Sequence, residues 1–230
     1  MSVFNKPNLV AAVALVAAGA LTFGAAVTTV RERGRAMQVA VPVGVGAMAA
    51  ILGMGAADVE AVCRTAQTQT GQVVVPANFN GPGQIVIAGH AEAVETAMEL
   101  LRTRGCRKMM KLPVSAPFHS PLMEPAKAHM QPLLESLDFS APSCPLANNV
   151  DAALVSDPDR LRDGLVRQIP GAVRWEALTA LLLQEGVTTF FELGPGKVLA
   201  GLVKRQAKEA GLTVAAHSIA GPEDLLAALA

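Results

Sequence analysis

The chain has 230 residues, 51% of them hydrophobic and 17% charged, with 19 Lys plus Arg balanced by 19 Asp plus Glu. This length supports one large domain or one domain with a smaller insert, the composition a sizeable buried core, and the zero net charge argues against a general nucleic-acid binder. Three widely separated cysteines, Cys63, Cys106 and Cys144, have neither zinc-site spacing nor a disulfide framework and read as reduced thiols of the cytoplasm.

The first element in chain order is the uncharged run LVAAVALVAAGALTFGAAVTTV, Leu9–Val30, with Lys6 before it and Arg31 after it. Its length suits a bilayer span or a signal-peptide core, which would make the protein membrane-associated or exported. Its Ala, Gly and Thr content, with breaks at Gly19 and around Thr22–Gly24, suits two short buried helices of a soluble domain. Both readings fit the run. In RERGRAMQ, which follows, Arg31, Arg33 and Arg35 read by themselves as a solvated helix face.

From Gly44 the periodicity is legible. GAMAAILG reads as a strand, ADVEAVCRTAQ as a helix, QVVVPANF and GQIVIAG as two strands, AEAVETAMELLRTRG as an amphipathic helix closed by Gly105, and CRKMMKLPV as a fourth strand. The order βαββαβ predicts a ferredoxin-like unit over residues 44–113, two helices on one face of a four-stranded antiparallel sheet. Beyond it, PAKAHMQPLLESLDF predicts a helix, PLANNVDAALV strand and turn, and PDRLRDGLVRQI a helix starting at Asp157 or Pro158. RWEALTALLLQEG then predicts a helix, TTFFELGPG a buried strand, and KVLAGLVKRQAKEAG a helix. This alternation is that of parallel α/β packing, so residues 1–43 and 114–230 are expected to form a larger α/β domain into which the unit is inserted.

Between the two lies SAPFHSPLM, where Pro117 and Pro121 bracket His119 and stiffen its backbone. An imidazole fixed in this way is either a loop side chain packed on Phe118 or a catalytic base that needs partners.

Taken together, ALVAAGALTF, RERGRAMQ, PVGVGAMAAILG, ANFNGPGQIVIAG, KLPVSAPFHSPLM, VRQIPGAVRW and FELGPGKVLAGLVKR resemble, in order and spacing, the malonyl-CoA:acyl carrier protein transacylases. The resemblance runs from about Ala14 to the C-terminus. It implies an α/β-hydrolase-like parallel-sheet domain carrying the ferredoxin-like insert. It also implies malonyl transfer from CoA to the phosphopantetheine thiol of acyl carrier protein, in fatty acid or polyketide synthesis, with no cofactor, no metal and no nucleic acid. By the same resemblance His119 is the general base, oriented by the backbone carbonyl of Gln168, while Arg33 grips the malonyl carboxylate and Asn78 and Asn80 line the pocket mouth. Read by themselves, the two asparagines are turn caps. Pro170 departs from the family's usual loop after Gln168. Acidic carrier protein would dock on basic residues, for which Arg107, Lys108, Lys111, Lys204 and Arg205 are the candidates.

The family's nucleophilic serine, in a Gly-His-Ser-Leu-Gly elbow, falls on Asn8, with Lys6 and Val10 at the glycines, and no Gly-x-Ser-x-Gly occurs elsewhere in the chain. Ser120 adjoins His119, but adjacent side chains on an extended backbone point apart. The expectation is therefore an N-terminally truncated family member, lacking the nucleophile and an upstream oxyanion loop, and inactive by itself. The alternative is a non-catalytic module binding CoA thioesters or carrier protein, membrane-tethered if Leu9–Val30 inserts.

Overall fold

The computed structural model describes residues 15–229. Residues 15–17 are helical, and the turn after them closes at Gly19, whose φ of 73° is a left-handed conformation that costs glycine nothing. Ser140 and Ser143 donate their backbone N–H groups to Ala20 O at 3.1 Å and Ala18 O at 2.8 Å, tying this turn to the middle of the chain. Thr22 then caps α1 (Phe23–Val39), its Oγ1 accepting from Ala25 N–H at 3.3 Å.

The break at Gly19 is present, but the second short helix expected from the sequence is one helix of 17 residues that runs on through Arg33. Burial of Ala26, Val30, Ala36 and Met37 outweighs the weak helix propensity of Gly24, Thr28 and Thr29. Leu15, Leu21, Ala26 and Val30 pack with Val155 and Leu161, so one face of the described part of the apolar run joins the core, while Phe23 and Val27 on the other face are exposed. No helix among the described residues is long and apolar enough to cross a membrane. Residues 9–14 of the run lie outside the described residues.

The next six elements are β1 (Gly46–Leu52), α2 (Ala56–Thr70), β2 (Val74–Gly81), β3 (Gln84–His90), α3 (Ala91–Thr103) and β4 (Lys108–Lys111). The strands form one antiparallel sheet in the order β2-β3-β1-β4, with Ala49 opposite Ile87 and Ile51 opposite Ile85. Strict alternation gives this sheet two apolar faces. Ala49, Ile51, Ile85 and Ile87 pack against Val59, Val62 and Ala66 of α2 and Val94, Ala97 and Leu101 of α3. Met48, Val86, Ala88 and Ala77 point the other way, against Leu112 and Phe118. Phe118 thereby seats the loop of its neighbour His119 on the sheet.

A 3₁₀ turn (Pro121–Met123) leads into α4 (Glu124–Glu135), and β5 (Leu146–Asn148) pairs with β6 (Ala153–Val155) as an antiparallel hairpin. Asp157 caps α5 (Pro158–Arg167), accepting from Arg160 N–H at 2.8 Å. Met123, Ala126 and Met130 pack on Ala36 and Met37 of α1 and on Val166 and Ile169. The chain ends with α6 (Trp175–Gln184), β7 (Thr189–Leu193), α7 (Val198–Glu209), β8 (Ala215–Ile219) and α8 (Pro222–Leu229).

Together the elements make an α/β protein with mixed strand pairing, in which β7 and β8 are the parallel pair among the described residues. The strand expected to be buried, TTFFELGPG, is not. Phe191 is 43% and Leu193 39% exposed, because they alternate along β7 with the half-buried Phe190 and Glu192, whose face is covered by α7.

Candidate active site

Pro117 stands against the start of β1, where a Cβ on Gly46 would overlap its ring, so this approach requires glycine. Phe118 N–H donates to Ala116 O at 3.0 Å, and the Ser120 hydroxyl turns back to donate to Pro117 O at 2.7 Å. Between them His119 is held at φ 58°, a left-handed conformation that costs a non-glycine residue about 1–3 kcal/mol. The loop bonds and the seat of Phe118 hold it there. The outcome is a buried ring, 6% exposed, aimed away from its own loop.

Its Nδ1 lies 3.2 Å from Gln168 O and 3.1 Å from Gly171 O. Carbonyl oxygens only accept, so Nδ1 carries the proton, and in the neutral ring the lone pair is on Nε2. The turn that presents these carbonyls follows α5. Gly171 N–H donates to Arg167 O at 3.1 Å, and a Cβ on Gly171 would sit 2.6 Å from that oxygen. Gln168 Nε2 donates to Gly171 O at 2.9 Å and to Ala172 O at 3.3 Å. Two backbone bonds stitch the turn to β2, Val173 N–H to Ala77 O at 2.8 Å and Phe79 N–H to Val173 O at 2.7 Å. Pro170 leaves the Gln168 carbonyl within reach of the ring.

Burial lowers the His119 pKa from the usual 6.5 to about 4, and the positive charge of Arg33 acts in the same direction. The bonds to Gln168 O and Gly171 O oppose the shift. Arg33 itself is pushed down to about 10 by burial, so it remains cationic at neutral pH. It differs from its neighbours: Arg31 and Arg35 are exposed, and Arg35 faces Glu32 at 3.8 Å, whereas Arg33 has no ion-pair partner among the described residues.

Asn78 and Asn80 are half-buried on β2, where Asn78 bridges to Val173 of the carbonyl turn. Neither side chain has a hydrogen-bond partner among the described residues. As strand residues they do not serve as turn caps. Ser120 is fully buried with its hydroxyl committed to Pro117. Asn8 lies outside the described residues. A cavity of about 420 Å³ lined by Arg102, Gly105, Cys106, Arg107 and Met109 sits at the α3–β4 junction and contains none of these residues.

Sequence reasoning missed Gly171, whose carbonyl is as close to the ring as that of Gln168, and it missed Asn149. The Asn149 Nδ2 donates to Gln168 Oε1 at 2.5 Å, and its Oδ1 accepts from Arg174 N–H at 3.1 Å. The pair NN in PLANNVD signals a turn, but nothing local signals a partner 19 residues away.

Residues 11–222 match the acyl transferase domain family. The malonyl CoA-acyl carrier protein transacylase of Escherichia coli (strain K12) is 44% identical over 216 residues, 94% of this chain and 68% of that protein. That of Bacillus subtilis (strain 168) is 48% identical over 192 residues, 84% of this chain and 60% of that protein. Among solved structures, an acyl-carrier-protein S-malonyltransferase from Burkholderia pseudomallei 1710b superposes with a TM-score of 0.88 at 47% identity, covering 95% of this chain and 69% of that one. A malonyl-transacylase in complex with a type II PKS acyl-carrier protein gives 0.89 at 39% identity, covering 96% and 70%.

Proposed function

The chain belongs to the malonyl-CoA:acyl carrier protein transacylases of the acyl transferase domain family, and from that premise we propose that it carries the base and the carboxylate grip of malonyl transfer from CoA to acyl carrier protein. The observation that carries this reading is the His119 ring, fixed by two backbone carbonyls and facing the charge of a half-buried arginine that has no ion-pair partner among the described residues.

In the reaction the Nε2 lone pair takes the proton of an attacking serine hydroxyl, and the ring returns it to the departing CoA thiolate. In the second half Nε2 takes the proton of the phosphopantetheine thiol, which attacks the acyl-serine carbonyl, and the ring gives that proton to the departing serine oxygen, restoring the hydroxyl and the free base. A carbonyl orienter holds the tautomer without adding a negative charge. Arg33 meets the free carboxylate of the malonyl group through its guanidinium fork. That pairing offsets the Arg33 charge, the lesser of the two causes that lower His119, while burial, the larger, remains. Asn78 and Asn80, with free amides beside the carbonyl turn, contact the acyl group. Within the 230 residues Asn8 stands at the serine position, so the chain by itself supplies the base and the grip but no nucleophile.

Residues 44–113 are read as a ferredoxin-like unit between the two parts, 1–43 and 114–230, of an α/β-hydrolase-like domain. Its own core and the order β2-β3-β1-β4 support this. The carrier protein is assigned to the exposed cations Arg107, Lys108 and Lys204. Lys111 and Arg205 are already paired, Lys111 with Glu95 at 2.6 Å and Arg205 with Glu209 at 3.3 Å. Three free cysteines fit a reducing cytoplasmic setting.

Calorimetry with malonyl-CoA and acetyl-CoA tests the reading. Malonyl-CoA is expected to bind more tightly by about 1.5–3 kcal/mol, with the preference lost in Arg33→Ala. Equal affinity for the two thioesters, or an unchanged preference in the variant, would overturn it.

A further inference from the structure

The His119 ring is oriented by carbonyls from both ends of one turn, Gln168 O and Gly171 O, so the distance between those oxygens must be held. One side chain spans the turn. The Gln168 amide closes it by donating to Gly171 O at 2.9 Å and Ala172 O at 3.3 Å. An amide can do this only in one orientation, since a flip would bring Oε1 against two carbonyl oxygens.

Asn149 fixes that orientation. Its Nδ2 donates to Gln168 Oε1 at 2.5 Å, while its Oδ1 accepts from Arg174 N–H at 3.1 Å, just past the far end of the turn. Asn149 is itself placed by the turn between β5 and β6. Asn148 Oδ1 accepts from Val150 N–H at 3.1 Å, and Asp151 takes both Arg167 terminal nitrogens, at 2.6 and 2.8 Å.

We propose that Asn149 is a positioning residue for the catalytic base, acting through the Gln168 amide to hold the carbonyl pair that keeps the His119 proton on Nδ1 and its lone pair on Nε2. The inference rests on the reading of His119 as the base. It adds to that reading a residue from the β5–β6 turn that touches neither the ring nor the acyl group. Without the Asn149 donor, nothing selects the orientation of the Gln168 amide, and the span between the two carbonyls is left to the backbone bonds of the turn alone. The Nδ1–H then competes for fewer well-placed acceptors.

The test reads the ring directly, by long-range ¹H–¹⁵N correlation of His119 in the labelled 230-residue chain at neutral pH. Wild type is expected to show a protonated Nδ1 and a bare Nε2. In Asn149→Ala the ratio of this tautomer to the other is expected to fall roughly fivefold, the loss of about one net hydrogen bond. Asn149→Asp keeps the size and the acceptor for Arg174 N–H but offers Gln168 Oε1 no donor. It is expected to shift the ratio as far, and it decides the matter if the alanine variant does not fold. A folded variant with a lowered thermal midpoint and an unchanged ratio would overturn the inference, since Asn149 would then support only the fold. A bare Nδ1 in wild type would instead overturn the reading of the base itself, which separates the two failures.

Discussion

At the scale of single residues, burial and the charge of Arg33 set the chemistry of His119. Its pKa is about 4 in the folded chain and near 6.5 in an unfolded one, so between these values the unfolded chain binds a proton that the folded chain does not. Stability is therefore full above about pH 6.5 and is lost as pH falls toward 4, by on the order of 3 kcal/mol. Asp151, held low by its bond to Arg167, adds stability that is lost only as pH falls through the ordinary carboxylate range, whereas Glu176, raised by burial, acts within this window in the opposite direction, so the His119 contribution is read as the difference between wild type and a variant. Urea unfolding followed from pH 7 to 4 should show the loss in wild type and a flatter profile in His119→Gln; parallel profiles would count against a buried neutral ring. Of the candidate site, His119, Gln168 and Arg33 could be picked out in the sequence because their motifs stand in the family's register. RERGRAMQ alone could not distinguish Arg33 from Arg31 and Arg35, since the difference is burial. Asn149 and Gly171 were illegible for another reason. Their roles arise where the end of α5 meets the β5–β6 turn, which no local pattern encodes.

At the scale of elements, alternation made β1 and β3 readable, because Ala49 and Ile51 serve one layer while Met48 serves another. The helices α2 and α3 followed from their apolar stripes. The Ala-rich β8 and the short α8 carried too little pattern to be predicted, and α1 was underestimated because its length comes from packing rather than from propensity. The junction of β1 with the histidine loop is a close contact between elements. A methyl group on Gly46 meets the Pro117 ring, a rigid neighbour with no rotamer to change. Gly46→Ala should cost about 1–3 kcal/mol, as overpacking does, and should disturb the His119 ring resonances through the displaced loop. Gly201, exposed within α7 with nothing near its absent Cβ, is the control, and Gly201→Ala should gain up to about 1 kcal/mol. Chemical denaturation of both variants measures the contrast. Equal stabilities would show that the loop yields to β1 rather than being set by it.

At the scale of the whole molecule, the site is assembled from distant segments: Arg33 on α1, the loop at residues 117–120, the turn at 168–174 and the asparagines of β2. The turn is bonded both to the ring and to β2, so the four-stranded sheet and the helical layers meet at the base. On the proposed reading this assembly holds the base and a cation, but malonyl transfer also needs an attacking hydroxyl. Ser120, the nearest in sequence, is fully buried and donates to Pro117 O, so its proton and its direction are both committed elsewhere. In the register proposed above Asn8 falls at the family's serine position, and an amide nitrogen is a very weak nucleophile. Lys6 and Val10 occupy the positions where small residues let a nucleophile elbow turn tightly, so Asn8→Ser is not expected to restore transfer. The 230-residue chain incubated with malonyl-CoA should therefore bind it without forming a covalent malonyl-enzyme, as intact-protein mass spectrometry would read. A malonyl adduct that disappears in His119→Gln would show base-dependent acylation and sink this expectation. Its loss in Ser120→Ala as well would identify the hydroxyl responsible.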